Sequence, residues 1–207
     1  MFFFATKAAA QKQFVEGEIV YKVNISTNSL NVKPTVLHGT MKLYLKGNAV
    51  LKQLQLEGGY TRTQLFKLQG ASYTFINLGD KNFALQNDHL EFEKTLKQCS
   101  HYVLQNESPE LKSIAQFKTF KAQLDCNHLN PFTIYYTKEW RINNPYLFET
   151  FSSFQYLPLE YTLQNADGSI IHATLERILS MPLDNSLFEI PKEYKIISRE
   201  EYNAWHH

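Results

Sequence analysis

The chain has 207 residues, a formal net charge of +1 and a hydrophobic content of 43%. A chain of this length buries one substantial core and is short for two. The hydrophobic content argues against intrinsic disorder, and the absence of a basic cluster argues against binding of nucleic-acid phosphates. Aromatic residues make up 14% of the chain, which is compatible with an apolar cavity as well as with core packing.

The N-terminus resembles the end of a secretory signal. Residues 1–10 contain three consecutive phenylalanines and end in three alanines, and small residues of this kind precede signal cleavage sites. The apolar part is shorter than in a complete signal, so we interpret residues 1–10 as a signal remnant and 11–207 as one domain. No other apolar run approaches the ~20 residues of a membrane helix. We therefore expect a soluble protein that is periplasmic or exported.

Apolar and polar residues alternate along most of the chain, which is the period of β-strands. The first two predicted strands carry the apolar residues Ile19, Tyr21, Val23 and Ile25, and Met41, Leu43 and Leu45. Glycine-containing turns separate further strands predicted at 50–56, 61–66, 73–77 and 83–86. Short strands at this spacing indicate an antiparallel sheet or barrel.

The Cys-x-His pairs are the next feature along the chain, because Cys99 and Cys126 are each followed two positions later by a histidine. On neighbouring strands, two such pairs would offer a zinc-type ligand set, but their spacing differs from that of known zinc sites. Cys126 continues an apolar alternation that begins at Phe120, as a cysteine does when it packs as a small hydrophobic residue. We expect two free thiols, no metal and no cofactor, with a disulfide or a metal site as the alternatives.

Helices are predicted to be few and short. Residues 91–98 are one candidate. Asn144 followed by Pro145 is typical of an N-cap with proline at the first helical position, which predicts a helix over residues 146–154. Its large apolar residues lie at helical spacing, so we interpret it as a helix facing the core, with a hydrophobic lid over a cavity as the alternative.

A hairpin is predicted at residues 165–168, where the sequence reads Asn-Ala-Asp-Gly. A three-residue loop with Gly168 in the left-handed conformation pairs Tyr161 with Ala173 and leaves one face of the hairpin apolar. A four-residue loop would place Tyr161 opposite His172 and mix the two faces. Since a slip of one residue moves every side chain to the other face, the hydrophobic pattern favours the shorter loop.

Aromatic and aliphatic residues of the predicted strands and of segment 146–154 form the candidate ligand-binding surface. A curved sheet binds an apolar ligand when side chains leave its interior partly empty, and ordinary core packing is the alternative for each residue. The set comprises Tyr21, Val23, Leu43, Tyr73, Phe75, Tyr136, Phe148, Phe151, Leu159 and Tyr161. Motifs of common enzymes, such as the nucleophile elbow, the P-loop and the dinucleotide glycine pattern, are absent from the sequence, which favours a non-enzymatic protein.

Five short segments, in their order and spacing, resemble a known family. They lie at residues 17–22, 41–50, 134–139, 156–161 and 183–194, and include Tyr-Leu-Pro-Leu-Glu-Tyr and a closing Leu-Phe-Glu-Ile-Pro-Lys-Glu-Tyr. In these segments the chain is similar to exported bacterial proteins of unassigned function that are related to the outer-membrane lipoprotein carriers and receptors, the LolA/LolB-like superfamily.

The resemblance implies a mainly β fold, with a single curved antiparallel sheet forming an incomplete barrel and a few short helices covering its concave face. In the carriers this face holds lipid chains, and the family has no agreed catalytic residues. We therefore expect a cell-envelope binding protein that holds a lipid, a lipoprotein acyl chain or another apolar ligand. The alternative is an envelope scaffold that binds a protein partner and has a filled core without a small-molecule ligand.

Overall fold

The computed structural model describes residues 11–27, 35–67, 72–126, 129–164 and 168–204. These residues form a single 13-stranded sheet that is not closed into a barrel, together with two short helices. The mainly β fold predicted from the sequence is therefore confirmed. The predicted signal remnant at residues 1–10 lies outside the described residues.

The elements follow one another along the chain in short steps. The first seven strands are β1 (Lys12–Phe14), β2 (Glu16–Thr27), β3 (Thr35–Lys46), β4 (Ala49–Leu56), β5 (Thr61–Phe66), β6 (Ser72–Leu78) and β7 (Lys81–Gln86). Helix α1 (His89–Lys97) follows, and then β8 (Tyr102–Ile114), β9 (Phe117–Cys126), β10 (Leu129–Ile142), β11 (Tyr156–Gln164) and β12 (Ile170–Ser180). The chain ends with β13 (Tyr194–Ile197) and α2 (Arg199–Asn203).

The spatial order of the strands is β13-β7-β6-β5-β4-β3-β2-β12-β11-β10-β9-β8. Neighbouring strands are antiparallel, except that β13 runs parallel to β7 and β1 runs parallel to the end of β10. Most neighbours in space are also neighbours in sequence, which is the usual result of joining antiparallel strands by short turns.

Tight turns between the strands lie where the sequence predicts them. Lys46 pairs with Ala49 across a turn at Gly47, and Leu78 pairs with Lys81 across a turn at Gly79. Both glycines have a positive φ, of 58° and 62°, which explains why this residue type is needed there.

The register of the hairpin between β11 and β12 is also confirmed. Tyr161 pairs with Ala173, and Gly168 has a φ of 81°, while residues 165–167 lie outside the described residues. The apolar partners are buried, and His172 lies on the other face, where its ring nitrogens are hydrogen-bonded to Thr162 and Thr174 at 3.0 and 3.3 Å. The hydrophobic pattern thus specified the pairing, as expected when one face of a sheet is covered.

The main core lies on the concave face of the sheet, where alternate residues of most strands meet the segment between β10 and β11. Alternate side chains along β2 and β3, such as Ile19, Tyr21 and Leu43, are fully buried there. They pack against Leu147, Phe151 and their neighbours in that segment. Period-two alternation therefore provides the inward face, and one irregular segment completes the core.

That segment, residues 146–154, is not the regular helix that the sequence predicted. It consists of turns around a single 3₁₀ turn at Glu149–Phe151. Its backbone hydrogen bonds join residues three apart, from the N–H of Phe151 to the carbonyl of Phe148 at 3.0 Å and from the N–H of Phe154 to the carbonyl of Phe151 at 2.9 Å. The three phenylalanines are spaced by three, so a 3₁₀-type turn aligns them better than an α-helix would.

The first predicted helix is confirmed as α1, which begins two residues earlier than expected. The expectation of two free thiols is wrong, because Cys99 and Cys126 form a disulfide. Cys99 follows the end of α1 and is fully buried, with its Cα atom 4.9 Å from that of Cys126. This separation is within the range of disulfides, and the pairing of Tyr102 with Cys126 explains how residues far apart in sequence meet.

The opposite, convex face carries a smaller core under the C-terminal segment at residues 183–190, which we call the strap. Leu183 and Phe188 of the strap pack on Leu51 and Leu65 of the sheet. The strap is also fixed by polar contacts, because the N–H of Leu183 donates to Glu16 at 2.8 Å and its carbonyl accepts from Lys46 at 2.5 Å. Both faces of this half of the sheet are therefore covered.

Candidate functional site

The candidate site is the interface between the concave face and residues 146–154, which we call the plug. Eight of the ten predicted ligand-binding residues belong to the main core that contains this interface. Six are on the sheet and two are on the plug: Tyr21, Val23, Leu43, Tyr136, Leu159 and Tyr161, and Phe148 and Phe151. All eight are buried, so the sequence pattern identified residues that do come together.

The plug contacts the sheet mainly through aromatic rings. The Phe148 ring centroid lies 6.1 Å from that of Tyr21, and Phe151 lies 5.2 Å from Tyr161, both in edge-to-face geometry. Phe148 and Phe151 are stacked on each other at 5.3 Å. Such pairs add to the free energy of simple area burial, and together the rings form a continuous apolar layer between plug and sheet.

Tyr73 and Phe75 are separate from this group. Tyr73 pairs with Leu65 and Phe75 with Thr63, which places them on the convex face with the strap. Phe75 packs there against Tyr194, with ring centroids 5.0 Å apart. Period-two alternation shows which residues of a strand share a face, but the opposite residues of β6 are also partly buried, so alternation alone did not indicate which face is concave.

The tyrosine hydroxyls at the site are held in their neutral form. The Tyr21 hydroxyl donates to the carbonyl of Pro158 at 2.8 Å, and burial raises the pKa of Tyr21 and of Tyr161. Burial also raises the pKa of Tyr136, and the Glu107 carboxylate raises it further. These neutral phenols therefore add uncharged ring surface to the apolar layer.

A buried ion pair joins the plug to the sheet. Lys52 of β4, only 9% exposed, contacts the Glu149 carboxylate of the plug, and its ammonium also lies 5.2 Å from the centroid of the Phe66 ring. Burial, assisted by the nearby positive charge of Arg62, lowers the pKa of Lys52. Removing two charges from water costs several kcal/mol per ion, so this pair contributes less to stability than its contact suggests.

Hydrogen bonds connect the plug to the region of α1 and the disulfide. The Ser152 hydroxyl donates to the carbonyl of Leu96 at 2.7 Å, and the Ser153 hydroxyl donates to the carbonyl of Cys99. The Tyr146 ring stacks near Phe92 of α1 at 5.7 Å. The plug is therefore held by an apolar layer beneath it and by a small set of polar contacts at its rim.

Sequence reasoning missed Lys52 and Glu149. The signal was present for Lys52, because it stands between Val50 and Leu54 on the apolar face of a period-two strand. A charged residue at a core position requires a partner. Nothing in the local sequence identified Glu149 as that partner, since the two residues are brought together only by the plug.

Two surface cavities of about 500 Å³ each lie outside the interface between plug and sheet. The first lies around the start of β5 and the end of β6 and is lined in part by Phe75. The second lies against the interior of β2 and β3 and the end of β4, and is lined in part by Val23. Across the described ranges, no three His, Cys, Asp or Glu side chains gather as a metal site would require. Neither described helix is long and apolar enough to cross a membrane.

Comparison by sequence gives no match, either to a protein family model or to a curated protein. Comparison with solved structures finds chains of similar fold. MucB, in the complex structure of Pseudomonas aeruginosa MucA/MucB, has 12% identity and a TM-score of 0.40, with 87% of this chain and 58% of that chain covered. A LolA superfamily protein from Nitrosomonas europaea has 10% identity and a TM-score of 0.39, with 88% and 94% covered.

This chain spans less than three fifths of the length of that MucB chain. Proteins of the LolA superfamily are thus among the solved structures similar to this chain, as the sequence resemblance predicted. At these identities and TM-scores the similarity concerns the fold and carries no argument about activity.

Proposed function

We propose that the protein is a non-enzymatic binding protein of the cell envelope that takes up an apolar ligand between the concave sheet and the plug. The ligand class is a lipid, a lipoprotein acyl chain or another apolar chain. The observation that carries the proposal is the layer of aromatic side chains between plug and sheet, formed by Tyr21, Phe148, Phe151 and Tyr161. This layer supplies a binding surface if the plug moves aside.

The character of the plug supports this proposal. The plug lacks regular helical structure apart from one 3₁₀ turn, and its polar contacts involve Lys52 and two serine hydroxyls. Hydrogen bonds of hydroxyl groups exchange with water at low net cost, and a buried ion pair regains hydration when it separates. An acyl chain that replaced the phenylalanine rings would regain ~0.8 kcal/mol for each methylene buried.

The disulfide supports the proposal that the protein is located in an oxidising compartment. Disulfides persist in the periplasm and outside the cell, whereas cytosolic thiols are kept reduced. The bond between Cys99 and Cys126 joins the end of α1 to β9, directly beside the contacts of the plug. We therefore propose a periplasmic or exported location.

The test is uptake of a fluorescent fatty acid by the full chain purified without detergent, together with native mass spectrometry and organic extraction of any co-purified compound. We expect saturable binding with one equivalent of probe, and a bound species in the lipid mass range. A protein that is folded, carries no extractable lipid and fails to bind a panel of fatty acids and lipopeptides would contradict the proposal.

A matched pair of variants tests the plug itself. Lys52→Met removes the ion pair to Glu149 and keeps the apolar stem, so we expect faster uptake of the probe. Lys112→Met is the control. The Lys112 ammonium lies 2.7 Å from the Glu160 carboxylate in an ion pair outside the plug. Equal uptake rates in the two variants would show that the plug does not control entry.

The second candidate function is an envelope scaffold that binds a protein partner and no small molecule. The observation that favours it is the density of the interior, where Phe151 and Phe154 are 1% and 2% exposed. The same uptake experiment separates the two functions. If the parent protein and the Lys52→Met variant are both stable and neither takes up the probe, the scaffold function is favoured.

A further inference from the structure

Outside the plug, the first surface cavity lies at the gap between β5 and β6. The two strands pair only as far as Thr63 and Phe75, although β5 begins at Thr61 and β6 continues to Leu78. Beyond that pair they diverge, and the cavity of about 500 Å³ opens between them. Tyr194 and residues of α2 also line it.

The cavity contains two positive charges and no negative one. Arg62 of β5 and Arg199 of α2 both line it, whereas its lining includes no Asp or Glu. Among the described residues, neither arginine forms an ion pair, although Arg177, for example, pairs with Glu18 at 3.1 Å. Guanidinium groups present several donors in a fixed geometry that matches carboxylate and phosphate oxygens.

The other polar groups of the cavity are largely engaged with one another. The Tyr194 hydroxyl donates to Asn77 at 3.0 Å, and the Thr74 hydroxyl donates to Asn87 at 3.1 Å. Helix α2 has two acidic residues, Glu200 and Glu201, and neither lines the cavity. Glu201 accepts from the backbone N–H of Ser198 in a capping box. The two guanidinium groups are therefore the charged donors that the lining offers to a ligand.

The lining also includes apolar and aromatic surface next to the arginines. Ile76, Leu85 and the rings of Tyr60 and Phe75 line the same cavity. Tyr60 is half exposed and follows Gly58 and Gly59, whose positive φ values of 81° and 86° turn the chain into β5. A ligand that matches this cavity carries an anionic group at one end and an aromatic or aliphatic group at the other.

We propose that this cavity is a binding site for a small organic oxyanion, a carboxylate or a phosphate ester, with an attached aromatic or aliphatic group. Arg62 and Arg199 bind the oxyanion from two sides, and Tyr60 covers the apolar part. The cavity lies outside the interface between plug and sheet, and binding there does not require the plug to move.

The experiment is an NMR titration of the full chain with phenyl phosphate and, separately, with phenylacetate. We expect saturable shifts at residues of the cavity with a dissociation constant of about 1 mM or below for one of the two probes. The stronger probe identifies the oxyanion as phosphate or carboxylate. Absence of saturation by both probes at about 10 mM, or shifts confined to other surfaces, would overturn the proposal.

Matched arginine variants make the test specific. Arg62→Gln and Arg199→Gln should each weaken binding about tenfold or more, because each removes a charge-assisted contact. Arg141→Gln is the control, since Arg141 is exposed on β10 in the other half of the sheet and should bind the probe as the parent does. Equal affinity in all three variants would also overturn the proposal. The substituted residues are exposed, so unchanged melting temperatures are expected and confirm that each variant is folded.

Discussion

The two faces of the sheet are both covered by chain segments, but in different ways. The plug on the concave face packs its rings into a core to which most strands contribute, and it lies next to a disulfide. The strap on the convex face packs on two leucines of the sheet and their few neighbours, and is fixed at one end by Glu16 and Lys46. The comparison indicates that the plug side carries most of the stability, whereas the strap is a local addition that can be removed at lower cost.

The largest expected difference concerns one phenylalanine on each side. Phe151→Ala should destabilise the protein by about 3–5 kcal/mol, because it opens a cavity in the main core. Phe188→Ala in the strap should cost about 2 kcal/mol, because a small surface cluster relaxes more easily and admits water. Urea denaturation measures both losses in the free energy of unfolding. Equal losses would show that the two faces contribute alike and would contradict the comparison.

The disulfide should have the next largest effect on the free energy of unfolding. Its partners are separated by 27 positions, and a loop of that size gives about 3.5 kcal/mol in the chain-entropy description. Cys99→Ser with Cys126→Ser should therefore lower the free energy of unfolding by about that amount. The parent protein measured with and without reductant is the control. A double variant as stable as the oxidised parent would show that α1 and the plug are held without the bond.

The two residues of the ion pair between plug and sheet should affect stability differently when they are substituted. Glu149→Gln leaves Lys52 buried without its counter-charge and should cost about 1–2 kcal/mol, whereas Lys52→Met should stay within about 1 kcal/mol of the parent. The reason is that Glu149 is more exposed than Lys52 and regains hydration when it loses its partner. Thermal denaturation of the two variants checks this order, and the reverse order would contradict the burial argument.

The smallest expected effect is the pH dependence of the strap. The backbone N–H of Leu183 and the Lys46 ammonium lower the pKa of Glu16. Because this pKa is lower in the folded state than in the unfolded state, the contact is present at neutral pH and is lost as the pH falls through the lowered value. The NMR shift of the Leu183 amide should therefore titrate with a midpoint below 4.5.

Glu16→Gln supplies the control for that titration. The glutamine keeps a carbonyl acceptor for the Leu183 amide but has no ionisable group, so the amide shift should be flat over the same range. A parent midpoint at or above 4.5 would mean that Glu16 does not hold the strap in solution.

Much of the sheet was predictable because local patterns specify it. The strand at Thr61–Phe66 and the pairing of Tyr161 with Ala173 agree with the sequence prediction, since turn glycines and period-two alternation act within a few residues. The six predicted ligand-binding residues on strands that share the main core follow the same alternation, and the ligand-binding role of the set stays a prediction. The prediction of an α-helix at 146–154 was wrong because phenylalanines three residues apart also suit a 3₁₀ turn.

The sequence by itself determined the strand period, the turns that need a positive φ, and the inward side of most strands. Only the tertiary structure decided that Cys99 bonds to Cys126, that Lys52 meets Glu149, and that Tyr73 and Phe75 lie on the convex face. The reason is physical. Alternation and turn geometry depend on neighbouring residues, whereas these contacts depend on which distant segment covers each face of the sheet.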